Sequence, residues 1–197
     1  MSEKTDQKRA LILESAHKVF AEKGYRAVTM KDIVEASNIS RGGLYLYFSS
    51  VEEVFLAVLD HEEKKTDNEV EQELFQEATN VEMLLWFLKL QKKELVQKKG
   101  SLLTAKYEYA FECREQSKNP PLKKERKKAV LVLQKILERG MENGEFFSLD
   151  AVHEAENIML AIDGMKLLAC TSGIGEKKID NEFLYMMQRI VVEEEEE

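Results

Sequence analysis

Three short stretches carry residue types at a spacing that could do chemistry. The densest is Ser40-Arg41-Gly42-Gly43-Leu44-Tyr45-Leu46-Tyr47-Phe48. Its chemistry suits a nucleic-acid duplex. Arg41 can pair with a guanine edge in the major groove. The hydroxyls of Tyr45 and Tyr47 suit phosphate oxygens, while Leu44 and Phe48 can anchor the segment inward. Gly42 and Gly43, inside a helix, cost about 1 kcal/mol each relative to alanine. That cost suggests a backbone that must come close to something. The other two stretches are Glu14-Ser15-Ala16-His17 and Asp150-Ala151-Val152-His153. The first has the Glu-x-x-His spacing that di-iron bundles use on facing helices, and the second is a weaker copy. Such a site needs two full motifs and two further helical glutamates, and Asp150 is better placed as a helix cap. Surface histidines on acidic helices are the simpler reading, and His61 in a polar run reads the same way. There is no His-Glu-x-x-His, no glycine-rich phosphate loop and no Gly-x-Ser-x-Gly. No catalytic residue, metal ligand or cofactor is therefore expected.

Two short helices must position the first stretch. Thr29 caps one, with Asp32 three residues later as a weaker capping box. Ile33, Val34 and Ala36 give that helix an apolar side, and Ser37-Asn38 ends it. Ile39 is expected as a buried turn residue. Ser40 then caps a second helix running through Leu46. A pair of this size and spacing is a helix-turn-helix, whose second helix enters the major groove. The expected DNA-contacting set is Thr29, Lys31, Ser40, Arg41, Gly42, Gly43, Tyr45 and Tyr47. The bland alternative is a small helical hairpin with a glycine-softened turn.

Residues over the first third of the chain resemble the DNA-binding domain of the Tet repressor family of bacterial regulators. The match runs through Ile12-Leu13 and Ala16, Val19-Phe20-Ala21-Glu22-Lys23-Gly24-Tyr25, Thr29-Met30-Lys31-Asp32-Ile33, Ser40 to Tyr45, Tyr47-Phe48 and Glu52-Glu53. Many positions agree in order and spacing. The remainder is similar to the family in length and helical character only. One departure stands out. The family often places a lysine just before its fourth helix, where it can touch a phosphate. Here the positions are Ser49-Ser50-Val51, so that contact falls to a serine hydroxyl or a backbone N–H, or is absent.

Composition fits a regulator with one DNA-facing end. The 197 residues are 44% hydrophobic, enough for a substantial core in one large or two small helical domains. Two prolines and nine glycines leave room for long helices. The net charge of −8 argues against a generally sticky nucleic-acid binder. Residues 1–50, however, hold eight Lys/Arg against six Asp/Glu, a net of +2, which leaves −10 for the rest. A mildly basic head on an acidic body suits one polyanion-facing end. Cys113 and Cys170 read as reduced core thiols. No run approaches the ~18 apolar residues of a membrane span, and there is no signal-peptide pattern, so a cytoplasmic protein is expected.

The expected architecture is all-α, with about nine helices. A DNA-binding domain covers 1–50, a helical ligand-binding and dimerisation domain 51–192, and an acidic disordered tail 193–197. Helix 1 is expected over about 7–23, with Gly24 just past its end. Ser50-Val51-Glu52-Glu53 reads as a capping box opening a long helix to about 77, polar over 61–72. Thr79-Asn80-Val81-Glu82 reads as another, opening a helix apolar nearly all round. Further helices are expected over about 102–117, from Pro120-Pro121 to 143, from Asp150 to about 169, and over about 180–192. Met83, Trp86, Phe87, Tyr107, Phe111, Cys113 and Met159 could line a ligand cavity, and the family resemblance implies such a pocket for a small effector. The same residues also make an ordinary core, and for each the core reading has the edge. Ala155, Ile158, Met159, Ile162, Met165 and Ala169, with Phe183, Met187, Ile190 and Val191, recur at helical steps. They are the expected homodimer interface, unless they close the subunit's own core. Two such helices per subunit would form the four-helix interface that the resemblance implies. The chain therefore reads as a homodimeric, effector-responsive repressor of a palindromic operator on double-stranded DNA. The rival is an all-α enzyme or metal-binding bundle with a vestigial DNA-binding head.

Overall fold

The computed structural model describes residues 3–73, 78–96, 100–113, 120–148 and 150–192, with the backbone alone at 3–4 and 66–73. The expected acidic tail, 193–197, lies outside the described residues, as do the expected helix ends near 77 and 117. Among the described residues there are nine helices and no strand, as the all-α reading expects. They are α1 (Glu3–Lys23), α2 (Met30–Ser37), α3 (Arg41–Tyr45), α4 (Val51–Glu73), α5 (Asn80–Val96), α6 (Leu103–Glu112), α7 (Pro121–Glu142), α8 (Ala151–Cys170) and α9 (Glu176–Ile190). The chain forms two compact units. Met1–Glu73 joins Lys98–Leu122, and Leu74–Gln97 joins Lys123–Glu197.

The first unit is built around Ile12, Leu13, Ala16 and Phe20 of α1, Ile33 of α2, Leu44 of α3, and Val54, Phe55 and Val58 of α4. Helix α6 packs into the same core through Ala105 and Tyr109. The rings of Phe20 and Phe55 meet edge to face at 4.8 Å, and those of Tyr25 and Tyr109 at 5.0 Å. Such pairs add to what burial alone contributes. Gly24 follows α1 with φ +76°, and its N–H donates to the Phe20 carbonyl at 2.9 Å. That left-handed conformation strains any residue with a Cβ.

The second unit gathers Leu84, Phe87 and Leu88 of α5, Leu133, Ile136 and Leu137 of α7, Ile158 and Ile162 of α8, and Ile179 and Ile190 of α9. Lys166 on α8 is buried but paired, its Nζ 2.7 Å from Glu94 on α5. The Arg126 guanidinium ties α7 to Glu156 and Asp163 of α8 at 2.6 and 2.8 Å. The helix starts follow local chemistry. The Thr79 N–H donates to the Glu82 carboxylate at 2.8 Å and the Glu82 N–H to the Thr79 hydroxyl at 3.2 Å, the expected box. The Asp150 carboxylate accepts from the His153 N–H at 3.0 Å. Helix α9 begins at Glu176, a turn before the expected 180. Lys92 of α5 holds Glu176 and Asp180 at 3.0 and 2.6 Å, a long-range restraint on a first turn that reads locally as polar loop.

Candidate nucleic-acid interface

Helix α2 starts on a closed network of caps. The Thr29 hydroxyl accepts from the Asp32 N–H at 3.3 Å. The Asp32 carboxylate in turn accepts from the Thr29 N–H at 2.8 Å and the Thr29 hydroxyl at 2.6 Å. Lys23, at the end of α1, adds its ammonium to Asp32 at 2.6 Å. The Lys23 ammonium and then the Thr29 donors hold the Asp32 carboxyl well below the usual carboxylate range. This network fixes α2 against the end of α1 (the capping box read from sequence, closed by a cation nine residues upstream). The Thr29 hydroxyl proton is thus spent internally. Lys31 is exposed and sits 3.6 Å from Glu35. Asn38 closes α2 in the left-handed region, φ 53°, and Ile39 is half-buried in the turn.

Helix α3 is capped by Ser40, whose hydroxyl accepts from the Gly43 N–H at 3.0 Å. Leu44 is fully buried, and Phe48 nearly so, anchoring the segment as expected. The opposite face is Arg41, Gly42, Tyr45 and Leu46, four exposed positions in two adjacent pairs one turn apart. The two glycines differ. A Cβ on Gly43 would sit 3.0 Å from the Ser40 hydroxyl, so its smallness serves the cap. A Cβ on Gly42 would meet nothing within 4 Å. Among the described residues nothing explains a residue there that weakens the helix. The Arg41 guanidinium lies 5.7 Å from the centre of the Tyr45 ring. Tyr47 is half-buried against the core.

Three features of this surface were not read from sequence. Leu46 is 85% exposed, an aliphatic side chain on the outward face. The Arg9 guanidinium lies 5.4 Å over the Phe48 ring, so a cation from α1 borders the segment. Ser49 gives both its N–H and its hydroxyl proton to Glu53, each at 2.7 Å. Ser50 caps α4 by accepting from the Glu53 N–H at 3.1 Å, but the reciprocal carboxylate bond goes to Ser49 instead. Those Ser49 donors hold Glu53 below the usual carboxylate range. Ser49 was one source of the phosphate contact that the missing lysine leaves open, and its donors are already committed. Helix α6 supplies another unread contact. The Glu108 carboxylate accepts from the backbone N–H of Tyr25 and Arg26 at 2.7 and 3.0 Å, and the Tyr109 hydroxyl donates to Glu52 at 2.9 Å. Burial pushes the phenol of Tyr25 up to about 12, burial and Glu52 push that of Tyr109 higher, and burial raises the Cys113 thiol beside them.

The remaining candidate residues are placed differently. Of the expected cavity residues, Phe87 and Met159 are core and Met83 and Trp86 half-buried in the second unit. Tyr107 is half-buried, Cys113 buried and Phe111 64% exposed, all in the first unit. Phe111 thus lines neither a core nor a closed cavity. Of the expected interface residues, Ala155, Ile158, Met159, Ile162, Met165, Phe183 and Ile190 are buried in their own unit's core. Ala169, Met187 and Val191 pack against it. A side chain that one chain already covers has little surface to give to a second copy, so for the seven buried residues the alternative, that they close the subunit's own core, accounts for their place, while Ala169, Met187 and Val191 keep part of their surface. The exposed apolar residues on α8 and α9 are Val152, Leu160, Leu167 and Leu168, with Leu184 and Tyr185. His17 lies 3.7 Å from Glu62, and His153 is exposed beside the capping Asp150. Among the described residues no three His, Cys, Asp or Glu side chains group as a metal site, and no helix is long and apolar enough to cross a membrane.

Comparison with known proteins covers both units. Residues 12–58 match the family of bacterial regulatory proteins named for tetR, and 83–180 match a tetracyclin repressor-like C-terminal domain. The HTH-type transcriptional regulator YfiR of Bacillus subtilis is 34% identical over 149 residues, 73% of this chain and 70% of that one. The HTH-type transcriptional regulator QacR of Staphylococcus aureus is 27% identical over 183 residues, 87% of this chain and 92% of that one. A transcriptional regulator from Saccharomonospora viridis, solved in complex with choline, shares the fold at a TM-score of 0.79 with 21% identity, over 95% of this chain and all of that one.

Proposed function

Because the chain belongs to the tetR family of DNA-binding bacterial regulators, we propose that it is a homodimeric, effector-responsive repressor that reads a palindromic operator through α3. The observation that carries the reading is the outward face of α3. Arg41, Gly42, Tyr45 and Leu46 are exposed together, while Leu44 and Phe48 hold the helix from behind. Arg41 reads a guanine edge, Gly42 lets the backbone approach, and Leu46 suits a thymine methyl. Lys31 and Tyr47 contact phosphates, whereas Thr29, Ser40 and Gly43 serve by fixing the helix starts. The protein works in the cytoplasm, and its regulator relatives support a non-enzymatic role.

A recognition helix reads one half-site, and a two-fold dimer supplies the second about 34–36 Å away. We assign the dimer contact to Leu160, Leu167 and Leu168 of α8 with Leu184 and Tyr185 of α9. Ala161 and Gly164, exposed on the same side of α8, permit close approach. The division of labour is a DNA-binding head over 1–50 and an effector-binding, dimerising body over 51–192. Effector binding shifts the population between head spacings that do and do not fit one DNA face. The bonds from Glu108 to the turn after α1 give α6 a grip on the head. Met83 and Trp86 are the half-buried candidates for effector contact. Selection from random duplexes tests the function. Recovery of two-fold symmetric sites is expected, and recovery of no preferred sequence overturns it.

A further inference from the structure

We propose that Tyr45 is a positioning residue for base recognition: its ring is the platform that aims Arg41 at the guanine edge. This rests on the base-reading role proposed for Arg41. The two residues are four apart, one turn of α3, with the guanidinium 5.7 Å from the ring centre. Both are exposed, and among the described residues Arg41 makes no ion pair and the Tyr45 hydroxyl no hydrogen bond. An arginine without a partner samples many rotamers and loses that freedom when it docks. A planar cation resting on an aromatic face is already ordered in the direction of the helix's open side. Gly42, between them in sequence, puts no side chain in the way. The ring and the hydroxyl therefore have separable duties. A phosphate contact needs the hydroxyl, and the platform needs only the ring.

The test measures competition binding of single-base-pair variants of a selected duplex, with Arg41→Ala, Tyr45→Ala, Tyr45→Phe and the double variant Arg41→Ala/Tyr45→Ala. Arg41→Ala should abolish preference at one base pair per half-site. Tyr45→Ala should weaken preference at that same base pair by about two- to fivefold per half-site, the scale of an exposed cation–π contact. It should have no further effect on that preference when Arg41 is already alanine, and Tyr45→Phe should keep it. Circular dichroism confirms that each variant is folded. If Tyr45→Ala and Tyr45→Phe weaken all sequences equally and additively with Arg41→Ala, the hydroxyl is a phosphate contact and the platform is overturned. If Arg41→Ala itself leaves every preference unchanged, the base-reading role fails and the platform with it.

Discussion

Helices α3 and α8 are both one-sided in the structure, yet they differ in what the open side is made of. On α3 it is an arginine, a glycine, a tyrosine and a leucine, opposite a single buried leucine. On α8 both sides are apolar. Ala155, Ile158, Met159 and Ile162 face their own core, while Leu160, Leu167 and Leu168 are open. The two surfaces therefore suit different kinds of partner. A polar, cation-bearing face with a missing Cβ suits a polyanion, and an aliphatic face flanked by small residues suits another apolar face.

The largest effect is expected on α8. Ile162→Glu buries an unpaired charge in a closed core, a cost of several kcal/mol. It should lower the melting temperature severely. Leu160→Glu, two residues away on the opposite face and 61% exposed, should leave the melt of the single subunit nearly unchanged and yield monomers in sedimentation. A stable Ile162→Glu monomer beside an intact Leu160→Glu dimer would return the interface to the buried face.

Glu53→Gln sharpens the α3 side with a smaller effect. It removes a negative charge beside the segment and weakens the hold on the Ser49 donors. Duplex affinity should rise severalfold for all sequences alike, more at low salt than at high, as read in a titration series. A sequence-selective change would place Glu53 near a base instead.

The smallest effect is a pH dependence. The Asp32 carboxyl is lowered from its ordinary value of 3.8, chiefly by Lys23. A depressed carboxylate contributes stability above its unfolded pKa and loses it as pH falls towards the folded one. Acid melts of Asp32→Asn should therefore show a flatter decline below about pH 4 than the parent chain. Identical acid limbs would make the Lys23–Asp32–Thr29 network irrelevant to stability.

What could be read in advance follows the range of the interactions. Caps at Thr29, Ser40, Thr79 and Asp150 depend on residues three apart, and all four form. The buried Leu44 and Phe48 follow from the same local pattern. The facing of α8 was not legible, because apolar side chains on both sides, Ile and Met inward and Leu outward, give periodicity little to choose between. The α9 start depends on Lys92, and the α6 grip joins Glu108 to residues 82 and 83 positions away. Neither leaves a local trace. The Ser49–Glu53 bond is a slip of one residue from the expected box, small in sequence but decisive for which donors face outward.

On the proposed function, the outward face of α3 is shaped for a partner's surface at the expense of its own helix. Gly42→Ala tests it most directly, by thermal melt and duplex titration on the same protein. With open space around the new Cβ, the helix should gain up to about 1 kcal/mol, raising the melting temperature by about 2–4 °C. The same methyl should lower affinity for the selected duplex by tenfold or more. A more stable protein that binds the duplex as well as the parent does would contradict the claim.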